Sequence, residues 1–175
     1  MFGKCMARPI ALVTGGGRGI GAATSKRLAA DGYDILLTYN LSSKAAEMVV
    51  DEIRRTGADA LAVKVDCNDD GEVALLGIHP WMHRGIDALV LNHGRYERVA
   101  AEEMTIDDLR STMKTNFEGA VGVWKAVQPH LTDSARIVVV GSQLGTRGSP
   151  HGADYSASKA ALAMWARSLA QAVGP

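Results

Sequence analysis

Tyr155 and Lys159 stand four residues apart in the run Tyr155-Ser156-Ala157-Ser158-Lys159. On a helix that spacing projects both side chains from one face, with their Cβ atoms about 6 Å apart. A tyrosine alone is a poor acid–base group at neutral pH, because its phenol holds the proton tightly. An ammonium one turn away favours the phenolate and brings proton transfer within reach. Ser142 lies at the end of the apolar run Ile137–Val140, which reads as a strand, so its hydroxyl is expected to face the same cleft. A hydroxyl there can hold a carbonyl or alcohol oxygen while the phenol moves the proton. Y-x-x-x-K on a helix is otherwise an ordinary surface pair, so the chemistry depends on what the chain places around it.

A second stretch supplies that context. Ile10–Val13 reads as a short buried strand, five glycines fall between Gly15 and Gly21, and from Ile20 the pattern turns helical. Glycine lets the backbone turn at positive φ and lets a ligand approach where a Cβ would collide. The helix that follows presents unpaired N–H groups and the positive end of its dipole to an anion, most often a phosphate.

The elements that must position these groups alternate along the chain. Apolar runs at Tyr33–Tyr39, Ala60–Val65, Ile86–Leu91 and Ile137–Val140 read as four more strands. Between them come helices: one closed by Asp31-Gly32, one capped at Ser42 or Ser43 and ending at Gly57, and a poor one begun at Val73. Thr105 to Asp108 resembles a capping box opening a long helix through Leu109, Met113, Phe117, Val121 and Trp124 to near Pro129. A last helix spans Asp154 to about Val173. Strands that run almost wholly apolar between helices indicate a parallel sheet covered on both faces. Right-handed crossovers then favour a doubly wound Rossmann-type α/β fold, read as one domain over residues 1–175. Ligands in such sheets sit at the carboxyl ends of the strands, here Thr14-Gly15, Asn40, Asp66, Asn92-His93-Gly94 and Gly141-Ser142.

Composition excludes several classes. Nineteen basic residues balance nineteen acidic ones, which offers no electrostatic reason for a nucleic-acid or anionic-membrane partner. No apolar run approaches the roughly 18 residues that span a bilayer. The start of the chain lacks a signal peptide's apolar core. Cys5 and Cys67 suggest neither a disulfide framework nor a zinc site, so a reducing cytoplasm is expected. His79 and His83 have a metal-compatible spacing, but Pro80 intervenes and no third ligand is evident, so no metal is expected.

Together these motifs resemble the short-chain dehydrogenase/reductases in their standard branch. Thr14-Gly15-Gly16-Gly17-Arg18-Gly19-Ile20-Gly21 matches that family's T-G-x-x-x-G-x-G turn, and Tyr155 to Lys159 its Y-x-x-x-K. Ser142, thirteen residues before Tyr155, sits where the family places its catalytic serine, and Asn116 matches its helix asparagine. Asp66 matches the acid that meets adenine, with Cys67 beside it as a small buried residue of the same cofactor site. The resemblance implies hydride transfer between a nicotinamide and a carbonyl or secondary-alcohol carbon, with an acyl-thioester ketone or similar compound as substrate. Tyr155 is then the general acid–base, Lys159 the ribose ligand, Ser142 the oxygen holder and Asn116 the holder of a water leading to Lys159. It also implies pairing of chains through the helices 105–128 and 154–173, with Leu109, Trp124 and Trp165 as candidates that serve equally well as core.

Cofactor choice follows from charge. NAD-binding units place an acid after the second strand to hold the ribose 2′-hydroxyl. Here Thr38 to Ser43 carries none, and Arg18 in the glycine turn can meet a phosphate. NADP(H) is therefore expected over NAD(H), with Arg18, Asn40 and Ser42 on the 2′-phosphate. Two departures from the family pattern stand out. N-N-A-G becomes Leu91-Asn92-His93-Gly94, putting an imidazole near the expected ribose. The chain also stops after the catalytic helix, where the family adds two further strands and a loop over substrate. The alternative to an active enzyme is a non-catalytic nucleotide-binding or partner-dependent chain without that lid.

Overall fold

Strand β1 (Ile10–Val13) is buried along its whole length because it lies in the middle of the sheet. The computed structural model describes residues 7–174, so Cys5 and the reading of the first residues fall outside it. β2 (Asp34–Tyr39), β3 (Ala60–Lys64), β4 (Ile86–Leu91) and β5 (Leu131–Val139) complete a five-stranded sheet in the order β3-β2-β1-β4-β5. Every pairing is parallel. The order reverses between β1 and β4, the position at which open α/β sheets form a ligand crevice.

Side chains alternate across the sheet with period two and divide the core. Ile10, Leu12, Leu36, Leu89 and Leu91 face α3 (Asp70–Gly77), α5 (Gly119–Val127) and α7 (Ala153–Val173). Ala11, Ile35, Leu37 and Ala88 face α1 (Gly19–Ala30) and α2 (Ser43–Arg55), in a layer that also holds Ala29, Ala46, Ala58 and Ala60. Ile86 and Ala88 go to opposite faces although two apart, because the pairing with β5 shifts register between them. At the end of the sheet away from the glycine turn, the buried Asp34 carboxylate is held by Arg8 at 3.3 Å and Arg84 at 2.6 Å.

Several boundaries differ from the sequence expectation, each for a local reason. α3 starts at Asp70 rather than Val73, because Asp69 caps it by accepting from the Glu72 N–H. Its Gly77, which argued against a helix, lies where a Cβ would come within 3.0 Å of the Ala126 carbonyl, so close packing on α5 requires it. β5 begins six residues earlier than Ile137, with Leu131 pairing to Ile86. The expected long helix is three pieces: α4 (Ile106–Met113), a π-turn at Lys114–Glu118 and α5. Its capping box is present in both directions, Thr105 to Asp108 and back. The short α6 (Leu144–Arg147) follows Ser142. Trp124 and Trp165 pair edge to face at 5.9 Å and pack against the core.

Candidate active site

The glycine turn is built for a close approach. Gly15 (φ +62°) and Gly19 (φ +52°) occupy the left-handed region, and a Cβ on Gly19 would meet nothing within 4 Å, which leaves open space above the turn. A Cβ on Gly21 would come within 2.2 Å of the Gly15 carbonyl, so only glycine lets α1 start this close to the strand. Arg18 is the N-cap of α1 and supplies no side-chain cap, and the first turn carries no acid, so the helix end keeps its positive character. Arg18, Gly19 and Ile20 are exposed. Gly17 faces Ala46 of α2, which brings the turn beside that helix's N-terminal end. Ser42 is the N-cap of α2 with no side-chain cap, and Asn40 is exposed just before it.

Thr14 and Asn92 tie the turn to β4. The buried Thr14 Oγ1 accepts from the Asn92 N–H at 2.9 Å and the His93 N–H at 3.2 Å. Asn92 Nδ2 donates to the carbonyls of Thr14 at 3.0 Å and Gly15 at 3.2 Å. The His93 imidazole turns inward: Nδ1 lies 2.8 Å from Thr14 Oγ1, and Nε2 is buried with no hydrogen-bond partner among the described residues. Burial and then the Lys159 charge push this histidine down to about 4, against a raising contribution from the Thr115 carbonyl, so it is neutral at pH 7. Asp66 Oδ1 accepts from the Asn68 N–H at 2.9 Å. Burial, followed by Asp66 and Glu72, pushes the Cys67 thiol up to about 12, which makes it inert as a nucleophile.

At the β4–β5 side the acid–base groups gather. Lys159 is buried, and its Nζ donates to the Val140 carbonyl at 2.8 Å, docking α7 onto the end of β5. The same Nζ lies 5.9 Å from the centre of the half-buried Tyr155 ring. Burial holds the Lys159 ammonium below the usual lysine range. A Cβ on Gly94 would sit 3.2 Å from Asn116 Oδ1 and 3.6 Å from Lys159 Nζ, so Gly94, Asn116 and Lys159 surround one point. Ser142 Oγ accepts from the Leu144 N–H at 3.2 Å, turning the chain into α6.

Asn116 sits inside the π-turn, fully buried. Its Oδ1 accepts from the Arg95 N–H at 2.7 Å, and its Nδ2 donates to the Arg95 carbonyl at 2.9 Å and to Ser158 Oγ at 3.0 Å. That amide is therefore committed to protein partners, and any water it helps to hold must be met by other atoms of the turn. Sequence reasoning missed the partners that fasten α7. Ser158 Oγ links Asn116 to the Tyr155 carbonyl, and Thr112 Oγ1 donates to the buried Asp154 carboxylate at 2.6 Å. It also missed Tyr96, whose ring meets that of Tyr155 at 4.8 Å. The one available signal was adjacency, since Asp154 and Ser158 flank the Tyr155–Lys159 pair and Tyr96 follows Gly94 by two.

An uncapped helix end above an open glycine turn on one side, and a buried ammonium beside a phenol on the other, fit a dinucleotide. Residues 9–175 match the family model described as short chain dehydrogenase. The hydroxynaphthalene reductase-like protein Arp2 of Metarhizium brunneum is 36% identical over 173 residues, covering 98% of this chain and 65% of that protein. Versicolorin reductase of Emericella nidulans is 35% identical over 163 residues, covering 92% and 62% respectively. This chain thus spans about 65% of the length of the first of these curated relatives. Among solved structures, a short chain dehydrogenase from Burkholderia cenocepacia in complex with NADP superposes with a TM-score of 0.89 at 40% identity, over 95% of this chain and 69% of that one. A blue fluorescent protein from a metagenomic library in complex with NADPH gives 0.88 at 37% identity, with the same coverage.

Proposed function

Because the chain belongs to the short-chain dehydrogenase/reductase family, we propose that it is an NADP(H)-dependent oxidoreductase interconverting a ketone and a secondary alcohol. When bound, NADP(H) supplies or accepts the hydride. Its pyrophosphate would be held by the turn from Thr14 to Gly21, its adenine by Asp66 and Cys67, and its nicotinamide ribose by Asn92, Gly94, Lys159 and the backbone of His93, whose ring is turned inward. Arg18, Asn40 and Ser42 take the 2′-phosphate. The absence of an acid between Thr38 and Ser43 supports the phosphate form, as do the nucleotides named with the two solved relatives.

Tyr155 gives its phenolic proton to the carbonyl oxygen in reduction and takes it back in oxidation. Ser142 holds that oxygen while charge builds on it. Lys159, fixed by the Val140 carbonyl, keeps a positive charge beside the phenol and steadies the phenolate once the proton has left. Asn116 shapes the π-turn facing Lys159, where a water can return the proton from solvent. The observation that carries this reading is the convergence of Lys159, Tyr155, Gly94 and Asn116 on the mouth of the β1–β4 crevice.

The substrate is a small carbonyl or alcohol compound, the chain works in the cytoplasm as one unit, and copies pair through α4–α5 and α7. Tyr155→Phe tests the chemistry: turnover falls by about 10²–10⁴, while NADPH, followed by its fluorescence, binds with affinity within twofold of wild type. Retained turnover sinks the assignment, and tighter binding of NADH than of NADPH sinks the cofactor choice. A nucleotide-binding chain without turnover is the second reading. Single-turnover oxidation of bound NADPH by a panel of ketones separates the two.

A further inference from the structure

Tyr96 is held at several points yet leaves 48% of its surface in solvent, and it is the one aromatic side chain among the exposed large apolar residues described. Its hydroxyl donates to the His151 carbonyl at 2.9 Å, and Ser149 Oγ donates to the same carbonyl at 3.0 Å. The segments are stitched again by an antiparallel bridge between Ala100 and His151, and by the Ala101 N–H donating to the Pro150 carbonyl at 3.0 Å. Its ring lies over Gly152, the N-cap of α7, where a Cβ would come within 2.6 Å of Tyr96 Cε2. Gly152 has φ +116°, so the close approach and the left-handed backbone both require glycine there. From this seat the ring meets Tyr155 edge to face, with centroids 4.8 Å apart and planes at 62°.

A ring fixed this firmly beside the proton donor, with half its area uncovered, is an unfilled aromatic contact. A ring left half uncovered by the described residues is suited to packing on a ligand. Resting on the reading of Tyr155 above, we propose that Tyr96 is a positioning and specificity-determining residue. It holds the Tyr155 ring from the β4–α4 loop, and its free surface forms the wall against which a planar, aromatic carbonyl substrate packs.

The hydroxyl and the ring do separable jobs, so two variants separate them. Tyr96→Phe keeps the ring and loses the bond to His151, whereas Tyr96→Leu loses the ring. The probe is 2-naphthol, a planar aromatic alcohol, titrated calorimetrically into the chain with and without NADPH. Tyr96→Leu is expected to weaken naphthol binding about five- to tenfold, with NADPH affinity unchanged, and Tyr96→Phe to restore it to within twofold. With an aromatic and an aliphatic ketone of similar size, the leucine variant raises KM for the aromatic one alone and lowers kcat for both. Equal naphthol affinity in all three proteins overturns the proposal, as does a wild-type chain that binds no naphthol. Failure of the enzyme reading shows separately, as turnover surviving in Tyr155→Phe.

Discussion

At the scale of single residues, His93 shows how one substitution in a family motif is absorbed. The sequence places an imidazole near the ribose; the structure turns it beneath the loop, against Thr14 and the π-turn. Its folded-state value near 4 lies below the ordinary 6.5, so the unfolded chain binds the proton more readily. The resulting stability is fully present above pH 6.5 and is lost as pH falls towards 4. Discounting for partial exposure, the loss is on the order of 2 kcal/mol. Urea unfolding of wild type and His93→Leu between pH 7 and 4 checks this: the variant should show the shallower pH dependence. Identical slopes would mean that His93 titrates freely. The inward turn was illegible beforehand because Thr14 is seventy-nine residues away in the chain.

At the scale of elements, the buried runs were the easiest to read. Ile10–Val13 and Ile86–Leu91 came out with their observed bounds, since each short apolar run is bounded by residues that interrupt it, Pro9 and Thr14 for one and Gly85 and Asn92 for the other. The start of β5 was hidden because Thr132, Asp133 and Ser134 interrupt the apolar pattern on a sheet edge, where one side meets solvent. The π-turn was hidden for a different reason: one added residue barely alters a helical period, although such turns gather at functional sites. Its neighbour Thr112 supports a sharper test. Among the described residues, Thr112 Oγ1 is the one donor to the buried Asp154 carboxylate, and Asp154 Oδ1 is buried without a partner. Thr112→Val should therefore cost about 1–3 kcal/mol in denaturant unfolding. Adding Asp154→Ala should recover part of that loss, because no stranded carboxylate remains. Additive losses in the double variant would show that the two groups do not act as a pair.

For the molecule as a whole, a parallel sheet covered on both faces was legible from alternation, as was the general location of the site at the carboxyl ends of its strands. How the site is held together was not, because α7 is fastened by Asn116, Thr112 and Tyr96 from elements more than forty residues away. The sheet has β5 at one end, with its outer N–H and C=O groups unpaired within the described residues. Such an edge templates pairing with other chains unless something covers it. The 175-residue chain on its own is thus expected to self-associate with rising concentration. Val138→Lys, which puts a charge on that strand, should lower the light scattering at equal concentration. Unaltered scattering would locate association elsewhere, such as on α4–α5 and α7. A last consequence concerns the alanine layer beneath α1 and α2. Methyl groups there act as a spacer: Ala46 sets how far α2 stands from Gly17, and a Cβ added at Gly17 would already lie 2.9 Å from it. On the proposed reading, the width of the phosphate seat is thereby gauged by alanines behind it, and a single methyl added at Ala46 would loosen the grip on the dinucleotide while leaving the proton-transfer groups in place.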